Sequence, residues 1–127
     1  LEGLLGKEAA LGEAFHITTD EALSWNDIYA TIGAALGNTP DIVHIPVDWL
    51  CRRTPSLVAA VRGDKAEDGV FDNAKVKGLV PSFACRPLAE TIAESIAWYG
   101  ADETRKAVNT EKDRQMDAWI AAWNGDD

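Results

Sequence analysis

The stretch AFHITTDEALSWNDIY, residues 14–29, contains two different periodicities and decides how the rest of the chain is interpreted. In its first part apolar Phe15 and Ile17 alternate with more polar neighbours, and this two-residue period predicts a strand. Ser24 follows, with Asp27 three residues later, which is an acidic variant of the capping box that begins a helix. The stretch therefore predicts a strand leading into a helix.

The helix that begins after Ser24 is the clearest element of the chain. Its apolar residues recur at helical spacing: Trp25, Ile28, Tyr29, Ile32, Ala35 and Leu36. We expect Gly37 to end it in the left-handed conformation. A second short apolar segment, DIVHIP at residues 41–46, predicts another strand. Strand, crossover helix and strand form a βαβ-like unit, so the predicted class is α/β, predominantly helical, with two short strands.

The remainder of the chain predicts further helices. One begins near Val47 and is interrupted at Thr54, a short one is capped by Asp72, a long one follows Pro87, and the last is capped by Thr110. Two parallel strands alone are marginal in water, and parallel strands usually belong to larger buried sheets. We therefore expect the βαβ-like unit to join or pack against something that the chain lacks.

Composition narrows the class of protein. A length of 127 residues suits one domain, residues 1–127, and 21 acidic against 12 basic residues give a net charge of −9. This charge argues against nucleic acid and anionic membranes as partners. No apolar run approaches the roughly 20 residues that span a bilayer, and the start does not resemble a signal peptide. With only two cysteines, the default is a reduced, cytoplasmic protein.

Residues with catalytic or metal-binding chemistry are few. His16 and His44 lie on the predicted strands, and no zinc-ligand spacing links them to Cys51 or Cys85. We interpret the histidines as scaffold and the thiols as buried packing groups. A metal-dependent hydrolase using both histidines is an alternative that requires metal in the purified protein. No nucleophile elbow, phosphate loop or dinucleotide-binding glycine motif is present, so we assign no catalytic, metal or cofactor residue.

The order of several loose motifs carries a family resemblance. The segments LLGKEAALGEAFHITTDEALSWNDIYATIGAALG, IVHIP, GVFDNAKVKGLVPSF and ETIAESIAWY occur in that order between Leu4 and Tyr99. They resemble the C-terminal part of the extended short-chain dehydrogenases/reductases, the NAD-dependent epimerase/dehydratase family. The family has a D-x-x-K segment, matched here by Asp72 and Lys75.

The resemblance implies a two-part enzyme. In the family, an N-terminal Rossmann domain holds NAD or NADP and a Tyr-x-x-x-Lys catalytic pair, and the C-terminal part closes over the substrate, often a nucleotide sugar. This chain departs from the pattern: Tyr29 and Tyr99 are followed four residues later by Gly33 and Glu103 instead of lysine. No catalytic or cofactor-binding residue therefore carries over to this chain.

Residues 1–127 are thus interpreted as the C-terminal substrate-binding domain, a fragment of an NAD(P)-dependent epimerase, dehydratase or reductase, inactive without its Rossmann domain. The candidate substrate-binding residues are Trp49, Asn73, Lys75 and Lys77. The expected partners are the Rossmann domain in cis and a small-molecule substrate. We expect an exposed docking face through which the fragment can self-associate. The alternative is a freestanding acidic protein-interaction module, which predicts a stable monomer with a polar surface.

Overall fold

The structure, a computed structural model, describes residues 2–125, and these residues form helices joined by irregular segments. The α-helices are Trp25–Ala35 (α1), Val47–Arg53 (α2), Val58–Ala60 (α3), Ala74–Leu79 (α4), Leu88–Gly100 (α5) and Thr110–Asn124 (α6). Shorter turns of 3-10 type occupy Glu2–Leu4, Glu8–Ala10, Pro55–Leu57 and Glu103–Arg105, and a π-helical turn occupies Val61–Lys65.

The predicted α/β class is wrong, because residues 2–125 contain no strand and hence neither the βαβ-like unit nor a Rossmann-type sheet. Residues 14–18 and 42–46 have no regular secondary structure. An alternating pattern indicates which residues would lie on the two faces of a strand. A stable strand also needs hydrogen bonds from a neighbouring strand, and the pattern does not show whether one is present. At Thr18 a side chain takes that place: its N–H donates to Oδ1 of Asn73, and its carbonyl accepts from Nδ2 of the same amide.

Helix α1 is confirmed with its predicted ends. Ser24 Oγ accepts from the N–H of Asp27 at 3.2 Å, and the Asp27 carboxylate accepts from the N–H of Ser24 at 3.0 Å. This reciprocal pair is the capping box, which satisfies two backbone donors that the first helical turn leaves free. Gly37 has φ of 74°, a left-handed conformation that glycine adopts without a Cβ penalty.

The starts of the later helices also follow the sequence signals. Helix α2 begins at Val47 and ends before Thr54, and α5 begins directly after Pro87. Helix α6 begins at Thr110, but the cap is one residue earlier than predicted: Asn109 Oδ1 accepts from the N–H of Lys112 at 3.0 Å.

The chain divides into two compact units. Unit 1 contains the residues up to Asn38 together with Val70–Ser95, and unit 2 contains Thr39–Gly69 together with the residues from Ile96 onward. In unit 1 the buried side chains are Val76 and Asn73, at 2% and 4% exposed. In unit 2 they are Trp49 and Cys51.

Few apolar side chains are buried, and the accessible surface is correspondingly large. The chain exposes 9656 Å². A compact monomer of its 13.7 kDa mass exposes about 6,600 Å², and two separate compact domains of half that mass expose about 8,000 Å² together. The exposed area therefore exceeds even the second reference, by about 1,700 Å².

Large apolar side chains contribute to this excess in both units. Those more than half exposed are Leu5, Leu11, Trp25, Tyr29, Leu36, Val70, Phe71, Trp98, Val108 and Met116. Within residues 2–125, no helix is both long enough and apolar enough to span a bilayer.

Candidate substrate-binding site

A polar cluster in unit 1 contains two of the four residues predicted from the sequence. It consists of Thr18, Asp20, Asn73 and Lys77, and is called the Asn73 cluster below. Asn73 is the one buried polar side chain among residues 2–125. Its Nδ2 donates to the Thr18 carbonyl at 2.7 Å and to Asp20 Oδ1 at 3.2 Å, while its Oδ1 accepts from the Thr18 N–H at 3.3 Å. The buried amide is thereby fully used in holding residues 18–20.

The start of α4 positions the cluster. Asp72 Oδ1 accepts from the N–H of Ala74 at 2.8 Å, which fixes the turn into the helix. Val76 and Lys77 are three and four residues beyond Asn73 and so lie on the same helical face. Val76 is 2% exposed and anchors this face, and Lys77 Nζ donates to Asp20 Oδ1 at 2.7 Å.

Lys75 makes similar contacts with residues 13–15, which precede the segment that Asn73 and Lys77 contact. Its Nζ donates to Glu13 Oε2 at 2.6 Å and to the Ala14 carbonyl at 2.9 Å, and it lies 4.9 Å from the centroid of the Phe15 ring. Both charged side chains are about half exposed, at 53% and 51%. Lys75 and Lys77 thus each pair with one carboxylate.

Two further contacts tie residues 18–21 to the segment before α5. The Sγ of Cys85 donates to the Thr18 carbonyl at 3.1 Å. Glu21 Oε2 accepts from the N–H of Leu88, the first residue of α5, at 2.7 Å. A carboxylate at this position complements the free N–H groups and the positive end of the helix.

The electrostatics keep the carboxylates of this region ionised. The hydrogen bond from Lys77, followed by that from Asn73, lowers the pKa of Asp20. The hydrogen bond and the charge of Lys75 lower the pKa of Glu13 in the same way. Carboxylates with lowered pKa values are poor proton donors at neutral pH. At neutral pH these two acids are therefore unsuited to donating a proton, and each serves as the ion-pair partner of a lysine.

Trp49, the fourth predicted residue, belongs to unit 2. It is 6% exposed, its ring meets that of Trp123 edge-on at 5.5 Å between centroids, and the guanidinium of Arg53 lies 3.8 Å from its ring centroid. Its indole is thus packed by side chains of its own unit. Three of the predicted residues, Asn73, Lys75 and Lys77, lie on or next to α4.

Thr18, Asp20 and Glu13 take part in these contacts but were not predicted to do so. The contacts join residues 53 to 62 positions apart, and a helical or strand period carries no signal over such a separation. The one sequence feature that could have indicated these contacts is the opposite charge of the acids near residue 20 and the lysines of FDNAKVK.

The histidines and cysteines do not form a cluster. His16 and His44 are exposed, and the ring of His16 meets Phe71 edge-on at 4.9 Å. Cys51 is buried as predicted, but Cys85 is exposed, so that prediction is wrong for the second thiol. No group of three or more His, Cys, Asp or Glu within residues 2–125 has the geometry to hold a metal ion.

The described residues do not fit a dinucleotide cofactor. Family enzymes hold the pyrophosphate at a glycine-rich turn between a strand and a helix. Residues 2–125 have no strand, and the three glycines with positive φ, Gly6, Gly12 and Gly37, end or separate helical turns. No step of a reaction is therefore assigned to NAD or NADP on this chain.

Comparisons with protein-family models, curated proteins and solved structures yield no match to this chain.

Proposed function

We propose that this chain is the substrate-side region of an NAD(P)-dependent epimerase, dehydratase or reductase that acts on a nucleotide sugar or a related small molecule. The observation that carries the proposal is the excess of exposed area, about 1,700 Å² beyond two separate compact domains of this total mass. A chain with so few buried apolar side chains needs further protein to cover it. The order of the motifs from Leu4 to Tyr99 resembles that of the epimerase/dehydratase family, which indicates that the covering protein is a nucleotide-binding domain in cis.

In this proposal the Asn73 cluster and the Lys75–Glu13 pair hold the substrate side of the active site. Exposed ion pairs are screened by solvent and weak, so an anionic ligand can displace Glu13 or Asp20 from its lysine at small cost. Lys75 and Lys77 would then contact phosphate or carboxylate oxygens, and Asn73 would keep α4 and residues 18–20 in register. Hydride and proton transfer belong to the nucleotide-binding domain, which makes this region inactive alone.

The alternative, a freestanding acidic interaction module, is less well supported. It predicts a polar surface, whereas Leu5 and Leu11 are 75% and 76% exposed and Trp98 is 62% exposed. Apolar groups at this density are more typical of a surface that another part of the protein covers.

A cytoplasmic location is also part of the proposal. It is supported by the two thiols, Cys51 and Cys85, which are both free in the structure, as is usual for a reducing compartment. Fractionation of source cells, with detection of the chain in the cytosolic fraction, tests this point.

The experiment for the enzymatic proposal uses the native polypeptide, purified and assayed for NAD(P)-linked turnover on a panel of nucleotide sugars. Lys75→Gln and Lys77→Gln should each raise KM by about 3- to 10-fold, because each removes an exposed charged contact worth about 1 kcal/mol, while kcat stays within about twofold. Lys112→Gln, on α6 in unit 2, is the control and should leave KM unchanged. No NAD(P)-linked turnover with any member of the panel would overturn the proposal.

A further inference from the structure

Residues 3–15 run over α4 from its C-terminal end toward its start, and are called the strap below. At the beginning of the strap Gly3 packs against Val80: a Cβ added to the glycine would lie 2.7 Å and 3.1 Å from the two Cγ atoms of the valine. Lys7 Nζ donates to the carbonyl of Leu79, the last residue of α4, where a helix leaves carbonyls free and favours a cation. These two contacts hold the strap at the C-terminal end of α4.

The other end of the strap meets Lys75 and continues into a more firmly held segment. Glu13 Oε2 and the Ala14 carbonyl accept hydrogen bonds from Lys75 Nζ at 2.6 Å and 2.9 Å. Three residues beyond the strap, both backbone groups of Thr18 are bonded to the buried amide of Asn73. The strap thus occupies Lys75 between a fixed point at Thr18 and the contacts at the end of α4.

The middle of the strap is weakly packed. Leu4, Ala10 and Phe15 are half-buried, and the other residues of the strap are exposed. A cleft of about 300 Å³ lies among its own side chains. Gly6 and Gly12, with φ of 76° and 72°, form bends at which the backbone can change direction at low steric cost. Because segments with few buried apolar contacts open most readily, the strap is suited to open while Thr18 stays bound.

We propose that the strap is an autoinhibitory device for Lys75: when closed it occupies the ammonium group with Glu13, and when open it leaves that group free to bind an anionic group of the substrate. The role of Lys75 toward substrate rests on the proposed function. Opening ends before Thr18, so it does not release Lys77, whose partner Asp20 lies beyond the fixed point. The apparent dissociation constant is the intrinsic constant divided by the open fraction, so closure weakens binding.

Gly3→Ala should open the strap without altering Lys75 or Glu13. Its methyl group would lie 2.7 Å from Cγ1 of Val80, and a β-branched side chain has little freedom to turn away. Adding Val80→Ala removes both Cγ atoms, and the nearest atom is then the Cβ of residue 80 at 3.5 Å, an ordinary contact. The double variant should therefore close the strap again. Gly69→Ala is the matched control, because no atom lies within 4 Å of the added Cβ.

The measurement is the rate at which the N-hydroxysuccinimide ester of acetic acid acetylates each lysine of the 127-residue chain, followed by peptide mass spectrometry. A lysine that is hydrogen-bonded to the strap is shielded from this reagent. In Gly3→Ala the rate at Lys75 should rise by about fivefold or more, because overpacking shifts an opening equilibrium by such a factor. The rate at Lys77 should stay at the wild-type value. The double variant Gly3→Ala/Val80→Ala and the control Gly69→Ala should both react like the wild type.

Lys7→Gln is a second opening variant, because it removes the other contact at the beginning of the strap, and it should also accelerate acetylation of Lys75. An unchanged rate at Lys75 in both opening variants would overturn the proposal. An equal acceleration at Lys77 would mean that unit 1 opens as a whole, which would contradict a strap fixed at Thr18. A double variant as fast as Gly3→Ala would contradict closure against residue 80.

The acetylation assay contains no substrate or nucleotide, so it tests the strap separately from the proposed function. Accelerated acetylation of Lys75, together with no NAD(P)-linked turnover by the native polypeptide, would support the strap and overturn the proposed function. Turnover together with unchanged acetylation would support the function and overturn the strap.

Discussion

At the scale of single residues, Asn73 is the side chain on which unit 1 depends most. Its amide satisfies both backbone groups of Thr18, and it is 4% exposed. Asn73→Ala should lower the free energy of unfolding by about 1–3 kcal/mol, because the Thr18 N–H and carbonyl lose their partner in a partly buried place. Urea unfolding followed by circular dichroism measures this. Asn38→Ala, at an exposed asparagine of the same unit, should change stability by less than about 0.5 kcal/mol; equal effects of the two variants would contradict the role assigned to Asn73.

Asp20 should show a measurable pH dependence. Its pKa is lowered from the ordinary value of 3.8, first by the hydrogen bond from Lys77 and then by that from Asn73. A carboxyl whose pKa is lower in the folded state stabilises the fold above its ordinary pKa, and this contribution is lost as the pH falls through the lowered value. In Lys77→Met, NMR titration should find that the pKa of Asp20 has moved up toward 3.8. An unchanged titration would show that the 2.7 Å contact with Lys77 is absent in solution.

The assignment of Asn73, Lys75 and Lys77 to substrate binding stays a prediction, and their contact partners within the chain were not predicted. The three residues lie in the segment FDNAKVK, but their contacts with Thr18, Asp20 and Glu13 depend on tertiary structure. Burial was also poorly predicted. Trp25 belongs to the apolar stripe that helical spacing predicts for α1, yet it is 52% exposed. Periodicity indicates which face of a helix is apolar, and it does not indicate whether anything covers that face.

At the scale of elements, the helices were predictable because their ends have local chemistry. The capping box of α1 is the clearest case. Ser24→Ala should destabilise unit 1 by about 1 kcal/mol, because the N–H of Asp27 loses its acceptor. Urea midpoints measure the effect. Ser82→Ala, at an exposed serine outside any helix, is the matched control and should shift stability by less than about 0.5 kcal/mol. An unaltered midpoint for Ser24→Ala would mean that the cap does not contribute.

The strands were mispredicted for the opposite reason. A strand is stable only with a backbone partner, and neither residues 14–18 nor residues 42–46 has one within residues 2–125. Side chains hold the first segment instead: the Asn73 amide and the Cys85 thiol bond to Thr18, and Lys75 bonds to the Ala14 carbonyl. Because such bonds come from distant parts of the chain, alternation alone could not predict them.

At the scale of the whole molecule, the main observation is that the exposed surface exceeds that of two separate compact domains of the same total mass by about 1,700 Å². Exposed apolar side chains on the helices contribute to this excess, for example Met116 on α6, which is 53% exposed. In the proposed function, a nucleotide-binding domain would cover part of this exposed apolar surface.

The most direct test of the central claim, that this chain is the substrate-side region of a larger enzyme, is the mass of the native polypeptide. An antibody raised against the chain, used on an immunoblot of source cells, measures it. The account predicts a product more than about twice the 13.7 kDa of this chain, which leaves room for a nucleotide-binding domain of ordinary size. A native product of 13.7 kDa would contradict the account and favour the freestanding interaction module.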